Sequence, residues 1–484
     1  DAAPPPAGCP RPHLTFRPGL LTSTMRRPLP PHRLLAFWLA GAFLLGVTGA
    51  SAREFTVRTL SESGRDARHP SIGESGLVAW MGYSDNEGSA VPGSRRSDVF
   101  FYLDGQVRNL TGEDPRLSGR NERPQVIGDS VLFSAMFSRS TGGGYPFELS
   151  IPMKTEQMRQ MEMDYPSLFD PPTSAVEAKA AGASDLPAET PPPDEAAPAE
   201  PDDSSLQRQM WRKSGGNFDI AIYRPDGTIE RITPGSRHFS APVMSDAGMA
   251  VQVARGWPYG YEILTWKPGE TELTQLTTNY YYALSPHIHG NELVFQAWDG
   301  HDYEVYLHRL DTGETTPITN NQFDDTDPVI WKGEIAWVAH PTINAEIFHY
   351  RDGVIRKISE NSQDNGPPSI WQGRVVWQGY DDTDLEIHYF DGRRTIKLTS
   401  NTWDDIAPTI RDGVIAWMSY VDNSDAEIMV LDLGDNITVQ LTADDWEDSQ
   451  PRTAGEKIVW FTLTPDGARV QMAEPNAPRA EEVP

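Results

Sequence analysis

The chain has 484 residues, a single cysteine and a formal net charge of −28. That acidic balance excludes the basic patches needed to hold nucleic acid or an anionic membrane surface, and it points to cations or basic protein faces as partners. With Cys9 as the only cysteine, no disulfide can staple the chain internally, and stability must come from packing.

Residues 1–24 start with Asp and are rich in Pro; they read as upstream or leader sequence rather than a folded element. Residues 25–52 have the three-part layout of a secretory signal peptide: a basic "MRRPLPPHR", an uncharged "LLAFWLAGAFLLGV" over 34–47, and Ala50-Ser51-Ala52 before Arg53. The apolar core of 14 residues is shorter than the roughly 20 that a spanning helix needs. The expectation is therefore export to the periplasm or beyond, with no transmembrane segment after cleavage. The first 52 residues carry +4, so the remainder carries −32.

From residue 53 the chain repeats itself. An anchoring proline recurs as Pro70, Pro124, Pro242, Pro286, Pro328, Pro368, Pro408 and Pro451, at spacings of 54, 118, 44, 42, 40, 40 and 43. Each unit has one grammar. An apolar residue stands two places after the proline, as in Ile330, Ile370 and Ile410. A Gly turn follows, then a β-rich run ending on an aromatic: Trp80, Phe133, Phe295, Trp337, Trp377, Trp417 and Trp460. A polar loop leads to a third run such as "EIHYFDG" (386–392), and a short strand closes on Leu/Ile-Thr/Ser, as in Leu398-Thr399. Asp-Gly between the third and fourth runs is tight-hairpin chemistry. Four short strands repeated at about 42 residues describe the blades of a β-propeller.

The eighth unit lacks its fourth strand, and "EFTVRTLS" (54–61) supplies it from the other end of the chain. The expected fold is therefore all-β: an eight-bladed propeller of four-stranded antiparallel blades over 53–476, closed by an N-terminal strand pairing into the last blade. The spacing of 118 marks an insertion in blade two over 138–217. Its stretch 170–205, rich in Pro, Ala and acids, is expected to be disordered, as is the tail 477–484.

The acid–Pro opening "DDIAP" (404–408), the Gly-turn-Trp strand "GVIAW" (413–417) and the "EIHYFDG…LT" close (386–399) resemble the TolB-like family of propellers built from WD40-like, PD40-type repeats. The resemblance covers nearly all of 54–476. It implies an exported binding or scaffold protein, and it also implies a fold that stands beside peptidase domains. A fused peptidase would bring a Gly-x-Ser-x-Gly elbow, and the sequence contains none.

In an up-and-down blade, the loop between strands two and three shares a face with the loop leading to the next blade. The acids concentrate in those loops. Asp299, Asp381, Asp382, Asp384 and Asp422, with the aromatics Tyr281 and Trp257, are expected on a binding rim for a protein or cationic ligand. Asp325, Asp327, Asp364, Asp405 and Asp448 are candidate ligands for a hard cation, Ca²⁺ being the ion that takes six to eight oxygens. Asp is also an ordinary turn residue, and that alternative stays open. His287, His289, Tyr281 and Arg411 are the candidates for catalysis. The reading is a monomeric, exported, non-catalytic scaffold. The alternatives are a lyase-like enzyme acting on polysaccharide and a Ca²⁺-stabilised module of an envelope assembly.

Overall fold

The computed structural model describes residues 54–62, 66–84, 96–112, 114–117, 121–135, 137, 219–233, 239–254, 260–278, 282–361, 363–421 and 425–476. The expected signal peptide, the blade-two insertion and the C-terminal tail lie outside the described residues. The described part of the unit Ala52–Pro484 is all-β, with eight four-stranded antiparallel sheets.

Seven sheets are simple meanders, for example Asp325–Trp331, Glu334–Ala339, Glu346–Arg351 and Val354–Lys357 in blade five. The eighth takes three strands from 447–475 and its outermost strand, Phe55–Thr59, from the other end of the propeller. That strand pairs antiparallel from Phe55↔Pro475 to Thr59↔Gln471. The Leu60 amide extends the ladder by donating to the Val470 carbonyl at 2.8 Å. In blade two, Ser130–Ala135 pairs with Asp219–Tyr223, so the insertion connects its second and third strands.

Each pair of neighbouring blades encloses one apolar cluster, eight in all, and the cluster of Trp80 and Phe100 with Phe461 and Met472 joins blade eight to blade one. One sheet cannot bury both of its faces alone, and a ring of sheets can. Trp80, Trp337, Trp377, Trp417 and Trp460 are buried at one repeated place, which Phe133 and Phe295 fill in blades two and four. In blade three the place falls to Val251, and Trp266 and Phe239 supply the bulk.

The recurring proline marks a bulge. His69, Arg123, Ala241, Ser285, Asp327, Ala407 and Gln450 each precede it at φ between 45° and 55°. The ladder to the second strand shifts at the same step in each of these blades. A bulge on an edge strand is where proline's missing N–H costs least. The Gly turn that follows needs positive φ as well: Lys332 at 47° and Gly333 at 80° make the two-residue hairpin whose twist suits the strands.

The terminal Thr or Ser of each unit also has a fixed task. Its hydroxyl accepts the main-chain N–H near the start of the third strand, at 2.8–3.0 Å in the seven blades where Thr111, Thr233, Thr277, Thr319, Ser359, Thr399 and Thr442 stand. The residue before that N–H is a buried acid: Asp98, Asp219, Glu262, Glu304, Glu346, Glu386 or Glu427. Thr111 and Thr233 donate their hydroxyls to Asp98 at 3.2 Å and Asp219 at 2.8 Å.

Candidate functional site

The two classes of loop expected on one face are bonded to each other. Asp324, Asp364 and Asp404, in the loops between blades, accept the amides of Tyr303, Ala345 and Leu385 at 2.8–3.0 Å, each at the end of the preceding blade's mid-blade loop. Their carbonyls accept the amides of His340, Tyr380 and Tyr420, each at 2.9 Å. The carboxylates left exposed on this knitted face include Asp299, Asp364, Asp382, Asp404, Asp444 and Asp445.

The sequence candidates separate into distinct environments. Asp325, Asp405 and Asp448 are buried, and their Oδ1 atoms accept the indole N–H of Trp337 at 2.7 Å, Trp417 at 3.0 Å and Trp460 at 3.0 Å. Burial pushes the Asp325 and Asp448 carboxyls up to about 7 and raises that of Asp405, against the hydrogen bonds they accept. Asp327 stands half-buried at the central channel and accepts the Ser285 hydroxyl at 3.2 Å. Asp364 caps the Ala345 amide, and exposed Asp382 meets the Gln363 amide group. Asp422, Tyr281 and Trp257 lie outside the described residues.

Among the catalytic candidates, His287 is committed to the main chain: its Nδ1 accepts the Ile330 N–H at 3.1 Å, and burial lowers its pKa to about 4. His289 and Arg411 both meet Trp331, at 4.3 Å between rings and 5.3 Å from guanidinium to ring. Arg411 also pairs with Glu74 at 2.5 Å. This group sits beside the hairpin turns, at the opposite end of the innermost strands from the acid-rich loops.

Between these ends the central channel opens into a cavity of about 560 Å³ whose lining includes His69, Arg123, Gln125, His287, Gln450 and Arg452. His69 Nδ1 and Gln450 Oε1 lie 3.0 Å apart. Sequence reasoning did not single out the two arginines, because neither belongs to a recurring motif.

It placed Asp299, Asp381 and Asp384 on the rim but did not join them to Asp302, Glu304 and Glu386 as two acid triplets. Asp299, Asp302 and Glu304 bring carboxylate oxygens within 4.8 Å of one another, and so do Asp381, Asp384 and Glu386. Asp302 and Asp384 are 5% and 6% exposed. Burial first, then the neighbouring acids, pushes each of these two carboxyls up to about 6. Beside Asp384, Lys397 Nζ reaches Asp381 at 2.6 Å and Glu386 at 3.3 Å, and this ion pair holds Asp381 down at about 2. The signal was available in the sequence as Asp-x-x-Asp-x-Glu at 299–304, 381–386 and 422–427.

No protein-family model and no curated protein matches the chain. Solved structures do match its fold. One, from a study of two prolyl endopeptidases, aligns at a TM-score of 0.50 and 10% identity over 85% of this chain and 55% of its own. The acylaminoacyl peptidase of Pyrococcus horikoshii aligns at 0.44 and 11% over 82% of this chain and 57% of its own. TolB from Acinetobacter baumannii aligns at 0.32 and 15% over 56% and 82%. The chain is a β-propeller. It spans little more than half the length of the two peptidases, and these likenesses concern the fold alone. Among the described residues of the propeller, no helix is long and apolar enough to cross a membrane.

Proposed function

We propose that this propeller is an exported, non-catalytic binding protein that receives a basic protein surface or a cationic ligand on its acid-rich face. The observation that carries the reading is the knitted rim. Exposed carboxylates at Asp364, Asp382, Asp404 and Asp445 stand on loops whose main chains are already bonded to one another. A preordered charged surface loses little freedom on binding and steers a partner of opposite sign. The catalytic candidates support the same reading, since His287 is occupied by a backbone amide and Arg411 by Glu74. Export rests on the expected signal peptide at 25–52.

A lysine-rich peptide titrated against the protein tests the face. Binding is expected to weaken with Asp364→Asn, Asp382→Asn and Asp445→Asn combined. It should hardly change with Asp311→Asn, Asp352→Asn and Asp435→Asn, which remove the same charge from the opposite hairpin turns. Equal weakening by both sets would leave net charge as the whole cause and end the proposal.

One observation favours the polysaccharide-acting alternative. The channel cavity presents Arg123, Arg452 and His69, a setting for an anionic sugar that the outer rim lacks. Release of unsaturated products from oligouronates, lost in Arg123→Ala, would establish that reading. No turnover across a panel of acidic glycans would remove it.

A further inference from the structure

Blade four holds charge that nothing among the described residues neutralises. Both carboxylate oxygens of Asp302 and the Oε2 of Glu304 are buried without a hydrogen-bond partner, and Asp302 is 95% buried as 5% exposure implies. Glu304 Oε1 accepts the Asn321 amide at 2.6 Å. Asp299 completes the triplet; its Oδ1 accepts the amides of His301 at 2.8 Å and Asp302 at 3.2 Å, which fixes the loop around the other two acids. Three carboxylates with oxygens inside 4.8 Å repel one another strongly unless a proton or a cation enters.

Three other blades meet this problem with a cation, whereas blades one, three and seven carry Asn109, Gln275 and Gln440 at the same place. Two residues before Thr399, Lys397 places its ammonium between Asp381 Oδ2 and Glu386 Oε1, while both oxygens of Asp384 and Oε2 of Glu386 stay without a hydrogen-bond partner. Two before Ser359, Lys357 reaches Glu346 at 2.6 Å, and two before Thr233, Arg231 reaches Asp219 at 2.5 Å. The same place in blade four, two before Thr319, is Pro317, which has no charge to offer.

We propose that Asp299, Asp302 and Glu304 bind a hard divalent cation, Ca²⁺, in the blade whose triplet has no counterpart of the Lys397 ammonium. The open oxygens of Asp302 and Glu304 with one from Asp299 supply the anionic part of the shell. Water enters from the exposed side of Asp299 to bring the coordination toward six to eight. The mixed reach of three side chains suits the loose shell of Ca²⁺ better than the near-ideal octahedron of Mg²⁺. The site stands whether or not the rim receives a protein.

The test is calorimetry and thermal unfolding of the chelator-treated protein with CaCl₂. Saturable binding and a raised Tm are expected. Asp302→Asn and, independently, Pro317→Lys should each lower the Ca²⁺ stoichiometry by one. Pro317→Lys should also raise the Tm of the metal-free protein, because it installs the internal cation of blade six, so a folding defect cannot imitate it. Lys397→Met should add one equivalent by opening the blade-six triplet. Absence of binding heat and Tm shift in the wild type would overturn the proposal, and so would an unchanged stoichiometry in Asp302→Asn.

Discussion

The Nε1–H of Trp337 donates to Oδ1 of Asp325 at 2.7 Å, with both side chains buried and 12 residues apart. The same pair recurs as Trp377 with Asn365, Trp417 with Asp405 and Trp460 with Asp448, at 2.8–3.0 Å. The Trp fills the space between blades, and the acid or amide at the head of the innermost strand satisfies the one polar atom that this burial would otherwise orphan. The repeated acid and the repeated Trp are therefore one device, which couples the first strand of a blade to its second.

Replacing Trp417 by Phe removes the donor and leaves the Asp405 carboxylate without it. Losing one hydrogen bond to a buried carboxylate that keeps its Asn401 partner costs about 1–3 kcal/mol, so a clear loss in urea-unfolding stability is expected. Asp405→Asn keeps an acceptor, as Asn365 does naturally, and should cost much less. Equal losses in the two variants would mean that the hydrogen bond is not what the pair contributes.

The buried acids also set a pH dependence. Asp325 and Asp448 are pushed by burial from 3.8 up to about 7. Their contribution to stability is complete below 3.8 and is lost as pH rises through about 7. Half-buried His287 and buried His349 act in the other direction. Lowered from 6.5 to about 4, they contribute above 6.5 and lose that contribution as pH falls through about 4. The histidine contribution levels off above about 6.5 while that of the acids is still being lost through about 7, so Tm should fall between pH values of about 7 and about 8. Asp325→Asn with Asp448→Asn should flatten that fall and raise Tm at the alkaline end. A wild-type Tm flat across this window would contradict the assignment.

The closing strand ties the two ends of the propeller together through main-chain pairing, beside the apolar cluster that joins blades eight and one. Deleting residues 54–61 uncovers the edge of Gly467–Pro475 and removes Leu60 from the cluster joining blades eight and one. An unpaired edge invites pairing with another chain. The truncated protein is expected to lose thermal stability and to self-associate in sedimentation, and a monomer of unchanged Tm would contradict that account.

The ring was legible because its signals are local. Proline marks a bulge, Gly and Asp-Gly mark hairpins, and alternating apolar runs mark the strands between them. The displaced strand was legible because the eighth unit lacks what 54–61 resembles. The chemistry of the rim was not legible to the same degree. Asp325 and Asp405 read as cation ligands, but residue type does not show that a Trp 12 places on takes up one oxygen of each. Glu304 and Glu386 read as the first letters of ordinary strands. Only the fold shows that their carboxylates turn inward toward Asp302 and Asp384, and that Lys397 reaches two acids of one triplet while Pro317 offers the other no cation.

The terminal threonine carries the last prediction. The Thr442 hydroxyl accepts the Ile428 amide at 2.9 Å and lies beside the buried carboxyls of Glu427 and Asp448, so one group stands between the third strand of blade seven and the first of blade eight. Thr442→Val keeps the shape but strands a buried N–H and takes a hydroxyl away from the two buried acids beside it. A loss on the order of 1–3 kcal/mol is expected, together with faster hydrogen exchange at the Ile428 amide. Thr442→Ser keeps the hydroxyl, as Ser359 does at the same place in blade five, and should preserve both stability and protection. If Ser and Val prove equally damaging, the methyl packs and the hydroxyl is idle, and the recurring Leu-Thr needs a different explanation.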